Sequence, residues 1–301
     1  MLKIAHHTAY IHPLREGHRF PMIKYELLPE QLLYEGIVKH ENFFEPELAD
    51  FETCSLAHDI NYVQQLFSLS LDAKMVRRIG FPLTASLVDR ERYIIKGTIQ
   101  SAEFALRDGV SFNIAGGTHH AGYDFGEGFC LMNDQAVAAQ YLLTNNLAQR
   151  ILIIDLDVHQ GNGTAHIFQN NSNVYTFSMH GAKNFPFLKE KSYLDVELYD
   201  GMEDDAYLTL LDHHLSKLFI HLKPDFVFYQ AGVDILSSDK LGKLKISKRG
   251  CEVRDQQVFK FCYTNNVPVQ VSMGGGYSTH IRDIVDAHAA TYRSAINIFD
   301  I

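Results

Sequence analysis

The segment Arg150 to Val158, RILIIDLDV, constrains this chain more than any other stretch. Its apolar run has no polar face, so a strand formed here must be covered on both sides. That is the situation of a parallel sheet held between helical layers. Comparable short apolar runs recur at Val110 to Ala115, Val174 to Met179, Asp225 to Ala231 and Val267 to Met273. Stretches with helical spacing alternate with them: Asn133 to Leu143, Asp204 to Leu222, Ser247 to Thr264 and Thr279 to Ile298. Asn133 or Asp134 is placed to cap the first of these.

The N-terminal third is less regular. Leu2 to Ala5 reads as a first strand, Ile11 to Tyr25 as a loop running into a helix. Leu56 to Leu66 and Thr84 to Leu106 read as helices. The expected class is α/β, with a mainly parallel sheet flanked by helices. No linker, repeat or low-complexity tract divides the chain, so residues 1–301 read as one domain.

A chain of 301 residues that is 46% hydrophobic can bury a large core. Acidic residues outnumber basic ones, 36 to 27, for a net charge of -9. Without a dense basic stripe, direct nucleic-acid binding is not expected. A negative surface would favour cationic substrates such as lysine peptides or polyamines. Cys54, Cys130, Cys251 and Cys262 form no CxxC pair, which fits free thiols in a reducing compartment. No basic–apolar leader opens the sequence, and no apolar run approaches the roughly 20 residues of a membrane span. The expectation is a cytoplasmic protein with no membrane span; its oligomeric state stays open.

Four polar constellations fall at the ends of expected strands. They are Gly116-Gly117-Thr118-His119-His120, Asp155-Leu156-Asp157-Val158-His159, Gly232-Val233-Asp234 and Gly274-Gly275-Gly276-Tyr277. Ligands of open parallel sheets bind at the carboxyl ends of the strands, so the four are expected to line one cleft. Asp155, Asp157 and His159 alternate and would share one face if the strand ran through them. Two carboxylates buried there call for a cation. Asp157, His159 and Asp234 are the expected ligands, with Asp155 behind them. One imidazole with carboxylates and no thiolate suits zinc with an open position, and equally Fe(II), Mn(II) or Co(II). The competing reading makes these residues loop hydrogen-bonders, with Asn162 capping the next helix.

His119 and His120 are candidate proton carriers, since neighbouring imidazoles in one cleft resist joint protonation. His6-His7 and His213-His214 also occur, so the Gly-Gly context is what singles this pair out. Tyr277, presented by three glycines, is placed to donate its hydroxyl to an oxyanion. The Gly-rich run has neither a GxGxxG nor a Gly-Lys-Ser/Thr pattern, so phosphate binding is not expected there.

Together these motifs resemble the histone deacetylase superfamily, which includes acetylpolyamine amidohydrolases and acetoin-utilisation proteins. The resemblance runs from about His12 to Tyr277. It includes His58-Asp59 with Tyr62-Val63, Gly126-Glu127-Gly128-Phe129-Cys130 before Asn133-Asp134, and Asp239-Lys240-Leu241-Gly242 before Leu244, Ile246 and Ser247. It implies the three-layer arginase–deacetylase fold and a catalytic Zn2+ held by Asp157, His159 and Asp234. It implies a His119–His120 pair with Asp155 orienting His119, and Tyr277 polarising the acyl carbonyl. Gly128, Phe129 and Phe185 would wall the channel. A structural K+ is implied beside Asp155, with Asp157, His159, Ser178 and Met179 around it. The implied substrate is an acylated lysine of a peptide or protein, or another acylated amine. A polyamine deacetylase shares all this chemistry, and a silent acyl-ligand-binding module is the reading from another class.

Three departures stand out. Asn162 replaces the aspartate that class I members carry beside the second histidine, Met273 replaces a glycine, and Gly17 to Tyr25 is unlike class I. With His159-Gln160-Gly161-Asn162-Gly163, that segment looks more like class IV and its bacterial relatives.

Overall fold

Eight parallel strands make the sheet: β1 Lys3–Ala5, β2 Phe43–Phe44, β3 Val110–Asn113, β4 Ile151–Asp155, β5 Val174–Gly181, β6 Leu194–Leu198, β7 Phe226–Gln230 and β8 Val269–Ser272. Their order is β2-β1-β3-β8-β7-β4-β5-β6. The computed structural model describes residues 1–301. Every residue of β3, β4, β7 and β8 is buried. Successive residues face opposite sides, so the central strands are covered on both faces, as their unbroken apolar runs require.

Ten helices surround the sheet: α1 Lys24–Tyr34, α2 Phe51–Cys54, α3 Ile60–Phe67, α4 Ala73–Ile79, α5 Ala85–Asp108, α6 Asp134–Thr144, α7 Asn162–Phe168, α8 Asp204–Leu222, α9 Lys248–Thr264 and α10 Ile281–Phe299. α5 lies on β1, β3 and β8 and packs on α6, while α8, α9, α10 and α1 pack in series. Side-chain caps set several starts. Thr84 accepts from Leu87 N, Asn133 from Ala136 N and Ser247 from Gly250 N. No helix is long and apolar enough to cross a membrane.

Besides β2, α2 and α4, which were not expected, the structure departs from the sequence expectations in three further places. β6 was not expected, because Leu-Asp-Val-Glu-Leu is a partly exposed edge strand whose charges dilute the apolar signal. The helix expected over Leu56 to Leu66 begins only at Ile60, where Asp59 accepts from Asn61 and Tyr62 N. His58, just before it, is spent on the turn. It donates from Nδ1 to Gly122 O (2.8 Å) and accepts Asn133 N at Nε2 (2.8 Å). Burial lowers its pKa to about 4, which keeps it in the neutral form these two bonds need.

Third, β4 ends at Asp155 rather than running on to Val158. The chain bends there because carboxylates capture backbone N–H groups two residues on. Asp155 Oδ1 accepts Asp157 N (3.1 Å), and Asp157 Oδ1 accepts His159 N (3.0 Å). The buried Arg254 of α9 donates to the carbonyls of Leu156 and Gly232, pinning the β4 and β7 ends to one another.

Candidate active site

The four constellations meet at the carboxyl ends of β3, β4, β7 and β8. Asp157, His159 and Asp234 are buried, and one potential ligand atom from each lies within 4.8 Å of the others. His159 Nδ1 stands 3.1 Å from both Asp157 Oδ1 and Asp234 Oδ2. The remaining oxygens are anchored on backbone: Asp157 Oδ2 accepts Gly275 N (2.9 Å) and Asp234 Oδ1 accepts Val158 N (2.9 Å). Gly275 has to be glycine, since a Cβ would fall 2.2 Å from Asp234 Oδ2 and 2.7 Å from Asp157 Oδ2.

The electrostatics of this group ask for a cation. Burial pushes the Asp234 carboxyl up and the charge of Asp157 adds to it. Burial alone would lower His159, but Asp157 and Asp234 outweigh it and carry it to about 10. A proton on His159 is thus drawn to the place a divalent ion would occupy, and the donor set fits one.

The histidine pair lies beside this group, with ring centroids 4.1 Å apart. His119 Nδ1 donates to Asp155 Oδ2 (2.7 Å) and His120 Nδ1 donates to Asn162 Oδ1 (2.6 Å). Asn162 opens α7 but does not cap it; Gly161 holds the cap position, and the amide is turned to His120 instead. Its Nδ2 donates to Glu127 Oε1 (3.3 Å), which fixes the direction of the amide. The two histidines are thereby split. Burial depresses His119, yet Asp155 and Asp157 raise it to about 9. Burial and then the charges of His119 and His159 drive His120 well below its ordinary value. His120 is the neutral member, with Nε2 free to accept a proton.

Asp134 builds the turn that carries the pair, a role that its place near a helix start does not disclose. Fully buried, it takes Gly117 N (2.8 Å), Thr118 N (2.9 Å) and Thr118 Oγ1 (2.7 Å) on Oδ1, and Thr98 Oγ1 (2.7 Å) on Oδ2. Asp134→Ala would strand these donors. The expected loss is about 3–5 kcal/mol of stability, read as a lower urea midpoint, and a midpoint equal to wild type would refute the role.

Tyr277 approaches from the β8 side, its ring centroid 6.4 Å from that of His159. Burial, then the charges of Asp157 and Asp234, hold its hydroxyl well above the ordinary tyrosine range, so it stays protonated. Two residues position its loop that carried no assigned role in the sequence. Asp239 Oδ2 accepts Tyr277 N (2.6 Å). The buried Lys24 donates from Nζ to Gly274 O (2.9 Å), 5.9 Å from the Tyr277 ring centroid.

Phe129 and Phe185 both face the site. Phe185 meets His120 edge-on at 4.9 Å, and Phe129 lies 6.3 Å from Tyr277. Gly128 sits where a Cβ would come within 2.7 Å of His120 Cδ2. A mouth cavity of about 530 Å³ shares His120, Gly128, Phe129, His159 and Tyr277 with an inner cavity of about 40 Å³. Ser178, on β5, is the register partner of Asp155, and its Oγ pairs with His180 Nδ1 (2.9 Å). Met179 is buried next to it.

Comparison with known proteins agrees with this architecture. A crystal structure of an HDAC homolog complexed with SAHA superposes with a TM-score of 0.83 at 23% identity, over 99% of this chain and 88% of that one. The fold is therefore the deacetylase-type three-layer α/β fold. A histone deacetylase domain model matches residues 18–292. Histone deacetylase 2 of Arabidopsis thaliana is 31% identical over 269 residues, 86% of this chain and 70% of that protein. An uncharacterized protein of Picosynechococcus sp. is 44% identical over 296 residues, 98% of this chain and 99% of its own length. The chain belongs to the histone deacetylase family.

Proposed function

We propose that the chain, acting through one catalytic domain, is a zinc-dependent amidohydrolase that removes an acetyl or longer acyl group from acyl-lysine or a related acylated amine. The observation that carries this reading is the buried Asp157–His159–Asp234 group beside a neutral His120 at the floor of an open channel. The family is zinc-dependent, and Zn2+ held by these three residues would supply a Lewis acid that polarises an amide carbonyl and acidifies water.

The side chains account for the remaining chemistry. His120 Nε2 takes a proton from the attacking water while Asn162 holds its Nδ1–H. The water oxygen bonds to the carbonyl carbon, and the Tyr277 hydroxyl donates to the carbonyl oxygen as negative charge gathers there. The C–N bond then breaks and a histidine Nε2 returns a proton to the amine nitrogen. His119, kept cationic by Asp155, offsets the charge that develops beside it. Phe129, Phe185 and Gly128 wall the stem of the substrate. A K+ beside Asp155, near Ser178 and the backbone of Asp157, His159 and Met179, belongs to the same reading. The neutral Asn162 partner of His120 sets the chain nearer class IV than class I.

Hydrolysis of fluorogenic acetyl-, trifluoroacetyl- and long-chain acyl-lysine substrates tests this, before and after chelation and zinc return. Activity lost on chelation and restored by zinc is the expected result. No hydrolysis of any acylated amine by protein with a full complement of zinc would refute it.

A further inference from the structure

The polar lining of the channel mouth is opposite in sign to the chain as a whole. The chain carries a net charge of -9, yet the mouth is lined by Arg19, Arg78, Lys183 and Lys243 against one carboxylate, Glu127. Glu127 is already committed, to Arg78 Nε and to Asn162 Nδ2. Lys183 meets Asp200 at 3.7 Å, but both are well exposed, 74% and 40%, and water screens such a pair. Arg19 and Lys243 have no carboxylate within salt-bridge distance.

These two cations are nevertheless held in place. The Arg19 guanidinium lies over the Phe129 ring, 5.0 Å from its centroid. Lys243 Nζ donates to the Lys183 carbonyl (2.9 Å), two residues before Phe185. One cation therefore stands at each aromatic wall of the channel. Their attachments, a ring face and a backbone carbonyl, leave their charge unneutralised. Charges gathered in a cleft with low-dielectric walls focus the field there, and salt screens that field progressively.

Resting on the amidohydrolase reading above, we infer that the amine-bearing half of the substrate carries an anionic group, a carboxylate or a phosphate, that lies between Arg19 and Lys243 while the acyl amide reaches His120. A lysine-rich segment or an acylated polyamine brings like charge into the same mouth and is disfavoured. An anionic substrate runs against the expectation of cationic substrates drawn from net charge, because the charge at the mouth is local.

The test uses zinc-loaded protein and labelled acetyl-lysine peptides of one core, flanked by aspartates, phosphoserines, glutamines or lysines, together with monoacetylputrescine. Affinity of the peptides is read by fluorescence anisotropy, and kcat/KM is read for every substrate, each at low and high salt. Aspartate or phosphoserine flanks are expected to exceed lysine flanks by about tenfold in both readouts at low salt, with the gap narrowing as salt rises. The better of the two acidic peptides identifies the anion. In the double variant Arg19→Gln/Lys243→Gln the preference disappears. Lysine-flanked peptide or monoacetylputrescine handled as well as the acidic peptides would overturn the inference, as would a preference that survives the double variant. An acidic preference in binding with no hydrolysis of any substrate would uphold the mouth's selectivity and sink the amidohydrolase reading instead.

Discussion

Asp234→Asn is expected to remove tight zinc binding and, with it, amide hydrolysis, while leaving the metal-free protein folded. Asp234 is fully buried. One oxygen is spent on Val158 N, and the other faces His159 Nδ1. An amide keeps the shape and can still accept from Val158, but removes one of the two charges that draw a cation to the group. The sign of the stability change separates this role from a structural one. Burial and the neighbouring Asp157 push the Asp234 carboxyl up. A carboxyl raised in the folded state costs stability once the pH passes its unfolded value, so its neutral isostere should leave the metal-free protein at neutral pH as stable or more so. Wild type gains about 4 kcal/mol from a ligand present at a thousand times its Kd, and this gain should vanish in the variant. Thermal unfolding with and without zinc reads both effects. A variant that keeps the zinc-dependent rise in Tm would remove Asp234 from the ligand set.

What was legible in the sequence was whatever is local or periodic. Apolar runs without a polar face announced β4 and β7, and the candidate metal group stood out because Asp157 and His159 are close neighbours in the chain, with Asp155 just before them. The alternation argument brought together side chains that do cluster, but by an inexact route, since Asx-type turns and not a continued strand direct them. The residues without an assigned role act across the sequence. Lys24 meets Gly274 250 positions away, and Gln230 Nε2 donates to Gly117 O across 113. No spacing rule registers such pairs, and a buried lysine within a helical pattern reads as an ordinary surface residue. β6 escaped because an edge strand need not be apolar. The mouth charges escaped for another reason: a net charge says nothing about where the charge lies.

Tyr277→Phe tests the proposed oxyanion donor more cleanly than any other single change, because everything that holds the ring survives it. The ring packs edge-on against Phe20 (6.0 Å) and near Phe129 (6.3 Å), and the backbone N–H donates to Asp239. None of these contacts uses the hydroxyl, so stability should change by about 0.5 kcal/mol or less. The hydroxyl lies toward the Asp157–His159–Asp234 group, where burial and two carboxylates keep it protonated. A donor that is always protonated and already in place strengthens its bond as the carbonyl oxygen gains charge. Its loss should therefore fall on kcat, by about 10²–10³, with KM little changed. A variant that turned over at the wild-type rate would move oxyanion stabilisation away from Tyr277. A variant with raised KM and intact kcat would make the residue a ground-state binding contact. The pH–rate profile adds a second constraint. Because the phenol does not ionise in the working range, any basic limb of the wild-type profile should persist at the same pH in the variant. Disappearance of that limb would mean that Tyr277 titrates during turnover, contrary to the environment described for it.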